Sequence, residues 1–357
     1  MHSIREWFSR HLSNPQVVAL ALVLVAGFAL VLVLGDMLAP VLASVVIAYL
    51  LEGVVRRLEL RGVRRTLAVT LVFLVFIAVL LFVLLGLLPR LSHQLTQFVQ
   101  QLPEMIARGH QALLLLPEKY PNFVTEGQIA QMITAVRTEV GALGQRALSL
   151  SVASLVGLVV LLVYLILVPM LVFFFLKDKR RILGWISGFL PRERALATTV
   201  WSDVDRQIGN YVRGKVWEIF IVGAVTYATF SLMGLQYTVL LATLVGLSVI
   251  IPYIGATLAT VPVALIAYFQ FGWGAEFAWV LVAYLIIQAL DGNVLVPVLF
   301  SEVVDLHPVA IIVAVLLFGG IWGFWGVFFA IPLATLVQAV LKAWPRSLEH
   351  EREPESA

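Results

Sequence analysis

Few side chains in this sequence can do chemistry, and the one that stands out is Asp291. It lies in the apolar stretch 277–300, within Val216–Leu341, a region containing no lysine or arginine. An acid inside an apolar membrane segment is costly and marks a functional site. Its protonated and ion-bound states each differ from the free carboxylate by one charge, which ion coupling requires. Asp291-Gly292 is also ordinary turn chemistry, so an acid at a turn near the interface is the competing reading. Gln288 and Asn293 can offer neutral hydrogen bonds to a polar solute. Glu302, Asp305 and His307 form a second polar group, read either as coupling residues or as a water-facing loop. Arg213 either pairs with an acid near the inner surface or marks the cytoplasmic side. Pro252 ends one helix and Gly255 frees the backbone to turn, so these two shape a binding hairpin.

The elements that must position these residues are set by lipid. Of 357 residues, 61% are hydrophobic and 13% charged, and the mean hydropathy is +0.99. Soluble domains carry about a quarter charged residues. The expected fold is therefore all-α: a polytopic membrane protein of about eight transmembrane helices, with a re-entrant helical hairpin and a small helical periplasmic segment. A helix crosses a bilayer with roughly 20 apolar residues. Val17–Leu34 and Leu38–Leu51 read as a tight pair around Gly35-Asp36. Leu67–Leu88 and Leu148–Leu176 are longer spans, and 309–320 and 322–341 the last two. Tyr237–Ile251 has room for only about 22 Å of helix before Pro252, so 237–270 reads as a hairpin that enters and returns. Phe277–Leu290 reads as interrupted by Asp291-Gly292-Asn293. Interrupted helices commonly build transporter sites.

Lysine and arginine set the orientation. Segment 52–65 holds five arginines and segment 177–215 nine cations, whereas 89–147 balances five cations with four glutamates. The first two are expected in the cytoplasm with both termini, and the third outside. The chain then divides into 1–88, the first membrane helices; 89–147, a periplasmic helical domain; 148–176, a membrane helix; 177–215, a cytoplasmic amphipathic segment along the anionic lipid surface; 216–341, a membrane core with broken helices; and 342–357, a disordered cytoplasmic tail. In the outer domain Leu91, Leu95, Phe98 and Leu102 share one helical stripe, and Ile129, Ile133, Val136, Val140 and Leu143 another, with Pro103, Pro117 and Pro121 as breakers.

Several functions are disfavoured by what is missing from the sequence. There is no phosphate-binding GxxxxGK[ST], no HExxH and no GxSxG. The six histidines lack metal-ligand spacing, and there is no cysteine. No catalytic residue, metal site, cofactor or nucleic-acid partner is expected. The expected partners are the bilayer, a small polar solute, and a sodium ion or proton.

The second half resembles the autoinducer-2 exporter family of bacterial membrane proteins. The residues that carry the resemblance are Tyr211-Val212-Arg213-Gly214, Ile251-Pro252-Tyr253-Ile254-Gly255-Ala256, Gln288–Pro297, Leu306-His307-Pro308, Gly319–Gly326 and Ala330–Ala334, preceded by Phe173–Asp178. The stretch from Gln288 to Glu302 is most similar to a permease subgroup of that family. Gly292 separates Asp291 from Asn293, where the family usually has an acid–Asn pair. The resemblance implies eight membrane helices in the bacterial inner membrane, secondary transport, and a homo-oligomer, a pentamer. The leading expectation is a secondary permease or exporter of a small polar solute, such as a signalling molecule. A sodium/proton antiporter and a non-transporting oligomeric scaffold are the alternatives.

Overall fold

The structure, a computed structural model, describes residues 15–114, 138, 155–188, 195–252, 254–300 and 307–338. Among these every regular element is helical. Helix α1 (Pro15–Leu60) is followed by α2 (Arg65–Phe82), which passes through a π-helical turn (Val83–Leu87) into α3 (Leu88–Leu114). Then come α4 (Leu155–Lys177), α5 (Lys179–Ser187) and α6 (Ala195–Leu232). The C-terminal half contains α7 (Thr238–Ser248), α8 (Ile254–Phe271), α9 (Ala275–Leu290), a second π-helical turn (Asp291–Leu295), α10 (Val296–Phe300), α11 (Pro308–Trp322) and α12 (Phe324–Phe328). A last helix covers residues 330–338. Within the described residues, five helices are long and apolar enough to cross a membrane, or six if the bent pair α4–α5 counts as one span. Backbone groups in lipid must be satisfied within the segment, which favours this all-helical solution.

The helices pack around three apolar centres. Val55, Val69, Val72, Val172 and Leu176 join α1, α2 and α4. Val222, Phe230, Val245, Val263, Tyr284 and Ile287 join α6, α7, α8 and α9. Tyr211, Phe300, Ile311, Val315 and Ile331 join α6 and α10 to the C-terminal helices.

Polar contacts tie the two ends of this bundle. At one end Arg65 pairs with Glu52 and Glu59 at 3.3 and 3.1 Å, Lys179 pairs with Glu52 at 3.2 Å, and Arg65 Nη2 donates to Leu176 O at 2.8 Å. The two arginine- and lysine-rich segments therefore meet at one end. At the other, Gln94 Oε1 accepts from Leu240 N at 2.9 Å. Gln270 there closes the α6–α7 turn, accepting from Gln236 N at 2.7 Å and donating to Gly234 O at 2.8 Å.

The structure corrects four expectations. First, no hairpin forms at Gly35-Asp36; α1 runs unbroken for 46 residues. A Gly-Asp step in a long apolar segment costs the helix only about 1.5 kcal/mol and does not stop it. Second, Pro103 does not break the outer helix but lies within α3, which continues helically from α2 through the π-turn. Third, the segment 177–215 is not one element along the surface: its residues 195–215, with Val200, Val204, Ile208 and Val212, are the first part of a longer helix. They belong to α6, which runs 38 residues without a break, and Val212 is buried in the core. Fourth, Asp291-Gly292-Asn293 does not interrupt a helix: Ala275–Phe300 is one apolar span carrying a π-turn. The second stripe of the outer segment, Pro117, Pro121 and the acidic tail lie outside the described residues.

The hairpin expected at 237–270 corresponds to α7 and α8, which pack on each other across a turn that begins at 249–252. Glycine is required where they cross, since a Cβ on Gly255 would fall 1.7 Å from Ser248 O. Against α6 the same holds for Gly246, whose Cβ would meet Ile219 O at 2.9 Å.

A candidate substrate seam between α6 and α9

The chemistry of the membrane core begins with Lys215 and Glu218. They stand one helical turn apart on α6, and both are buried, at 4% and 2% exposure. Lys215 Nζ lies 2.6 Å from Glu218 Oε2. It also donates to Val249 O at 2.8 Å and sits 5.3 Å above the Phe300 ring. The lysine thus ties α6 to the tip of the α7–α8 hairpin and to α10. Val249 is where α7 ends, so its carbonyl is left without a helical donor. Gly214 lets Phe300 approach: a Cβ there would lie 2.8 Å from the ring. Tyr211 packs against the same ring, with the centroids 5.7 Å apart and the planes tilted by 42°.

Across from this pair, α9 presents Tyr284, Gln288 and Asp291 at helical spacing of four and three, which places them on one face. Tyr284 is buried and donates to Ala256 O at 2.7 Å, and Thr260 Oγ1 donates to the same carbonyl at 2.9 Å. Gln288 lies beside the Tyr284 hydroxyl, but its amide nitrogen has no hydrogen bond of good geometry. Asp291 is within electrostatic reach of both Lys215 and Glu218. Its Oδ1 is buried and finds no hydrogen-bond partner among the described residues, and the same is true of Thr226 Oγ1, farther along α6. Buried polar atoms are almost always paired, because leaving one unpaired costs about 1–3 kcal/mol. Unmet buried groups of this kind mark places where water or a polar solute would be satisfied.

A groove of about 760 Å³ opens on the same face of α9, between it and α8. Trp273 and Phe277 stand at one end, and Thr257, Thr260, Tyr284 and Gln288 add polar groups along an otherwise apolar wall. Gln288 belongs to the groove lining and lies one helical turn before Asp291, which stands within electrostatic reach of the ion pair.

The expected site residues fall into three groups. Asp291 and Gln288 are brought together with the ion pair. Pro252 and Gly255 shape the hairpin tip beside Val249. Asn293 is exposed and donates to Ala289 O at 2.8 Å, supplying a partner to a carbonyl in the last turn of α9. Arg213 donates to Asn210 Oδ1 at 2.9 Å and packs near Gly53 of α1, away from the seam. His307 caps α11, its Nδ1 accepting from Val309 N at 3.3 Å. Glu302 and Asp305 lie outside the described residues. The sequence reading passed over Lys215 and Glu218. Lys215 is the last cation before the cation-free region and was read as a cytoplasmic marker. Although 216–341 contains no lysine or arginine, Lys215 supplies a base to the acids of the core. The available signal was a Lys/Glu pair three residues apart leading into an apolar run.

Comparison with known proteins agrees with this architecture. The family described as AI-2E family transporter matches residues 19–346, and the chain belongs to that family of membrane transporters. It is 48% identical over 345 residues to the protein named "Putative permease PerM" of Escherichia coli (strain K12), covering 97% of this chain and 98% of that one. It is 28% identical over 305 residues to "Putative transport protein YrrI" of Bacillus subtilis (strain 168), covering 84% of each. "Putative transport protein YhhT" of Escherichia coli (strain K12) is 23% identical over 284 residues, 80% of this chain and 77% of that one.

Proposed function

We propose that this protein is a secondary permease of the inner membrane that moves a small polar solute through the seam between α6 and α9. The observation that carries the proposal is the buried Lys215–Glu218 pair facing Asp291, whose Oδ1 has no hydrogen-bond partner among the described residues. A scaffold gains nothing from buried charge, which costs several kcal/mol per ion even when paired. A permease needs polar groups in its core, and intramembrane ionisable residues mark such pathways. The names of the relatives, permease and transport protein, point the same way.

In the proposed topology the end holding Arg65, Glu52 and Lys179 faces the cytoplasm, where cation-rich loops belong. The α6–α7 turn and α3 then lie outside, and α7–α8 is a re-entrant hairpin with its tip, Val249–Pro252, near the inner third of the membrane. The Lys215 bond to Val249 O holds that tip closed. A solute approaching along the groove meets Gln288 first, then Asp291 and the ion pair.

The test is flux in proteoliposomes, using the solute whose distribution between cells and medium changes when the gene is removed. Asp291→Asn keeps size and hydrogen bonding but cannot ionise. The mutant should insert and assemble like the wild type and lose flux. Wild-type flux from Asp291→Asn would remove this residue from the mechanism.

A further inference from the structure

Helix α5 has a role that the seam does not explain. The axis turns by 78° between α4 and α5. The 23 residues of α4 rise about 34 Å, enough for a ~30 Å hydrocarbon core on their own. The bend therefore sets α5 across the end of a spanning helix, close to the membrane plane. Ile182, Leu183, Trp185 and Ile186 occupy one side of this nine-residue helix. Leu183, Trp185 and Ile186 are exposed, Trp185 at 68%. Arg180 and Arg181 are exposed on its other side, and Lys179 is held by Glu52, anchoring the start of the helix to α1.

We infer that α5 is an interfacial helix that binds the anionic phospholipid surface, with its apolar side in the acyl boundary and Arg180 and Arg181 on the headgroups. An exposed tryptophan and two isoleucine-sized side chains on one side suit the headgroup–acyl boundary. Arginines flanking such a face, at the end of a spanning helix, complement negative lipid. The Lys179–Glu52–Arg65 contacts connect this surface to α1 and α2, so the lipid fixes the elbow between α4 and α5. This inference does not depend on what the seam carries.

The chain has no cysteine, so single cysteines at Ile186 and Gly184 can carry a spin label. The protein is placed in nanodiscs of phosphatidylcholine alone or with phosphatidylglycerol. In the anionic discs the label at 186 should be accessible to oxygen and shielded from a water-soluble nickel complex, and the label at 184 should show the reverse. In phosphatidylcholine alone the contrast should shrink, and Arg180→Gln with Arg181→Gln should reduce the contrast in the anionic discs to the same level while changing little in phosphatidylcholine. Each arginine is worth roughly a fivefold change in surface association. Equal water access at 184 and 186 in anionic discs would overturn the inference and would instead suit a face kept for a soluble partner. A contrast indifferent to lipid charge and to both arginines would overturn the anionic recognition.

Discussion

At the residue scale the account rests on Lys215 and Glu218, since two ions buried together are stable only as a pair. Removing one strands the other, at a cost of about 3–5 kcal/mol, whereas replacing both with apolar groups of similar size is often neutral. Lys215→Met should therefore lower the melting temperature of the purified protein sharply, and Lys215→Met with Glu218→Leu should recover most of the loss. A double mutant no better than the single would show that the two act independently. Recovery of stability without recovery of flux is the signature of a functional pair. Part of this was legible in the sequence. Asp291 and Gln288 could be singled out because an acid and an amide in an apolar run are conspicuous. Lys215 could not, because in a linear reading it belongs to a string of cytoplasmic cations, and only folding brings it beneath Val249 and Phe300.

At the scale of the element, the sequence signals for breaks differ in strength. Pro252 removes a backbone donor and sterically blocks the helix, and the chain does turn there. Gly35-Asp36 and Asp291-Gly292-Asn293 offer no such block, and both stay helical. A glycine's weight also depends on its surroundings, which the sequence does not display. At Gly255 an added Cβ meets Ser248 O, whereas at Gly292 it meets nothing within 4 Å. Gly255→Ala should force the α7–α8 hairpin apart and reduce the yield of folded protein. Gly292→Ala should be tolerated, with a gain of up to about 1 kcal/mol from helix propensity. Thermal melting of the two variants in detergent checks this, and equal behaviour would contradict the close crossing at Gly255.

At the scale of the whole molecule, membrane class and family were legible from composition and from motif order, since lipid solvation and close helix crossings leave their mark on residue type. Helix continuity was not, because apolar residues on all sides carry no periodicity to separate one long helix from two short ones. The packing of the two ends offers a direct check on orientation. Arg61→Cys lies by the Arg65–Glu52–Lys179 contacts and Arg108→Cys lies on α3 beside Gln236 and Gln270. In whole cells an impermeant thiol reagent should label position 108 and spare position 61; the opposite pattern would invert the topology.

The central claim is that a polar path follows one face of α9. Single cysteines at 284, 288 and 291 lie on that face, and at 282, 286 and 290 on the exposed apolar side. The measurement is the rate at which a charged, water-soluble thiosulfonate modifies each in proteoliposomes. If solute and water traverse the seam, positions 284, 288 and 291 react as the protein cycles, and their rates fall when Lys215 and Glu218 are replaced by apolar residues. Positions 282, 286 and 290 stay unreactive in lipid. Uniform protection of 284, 288 and 291, or faster reaction on the opposite side of the helix, would contradict the account.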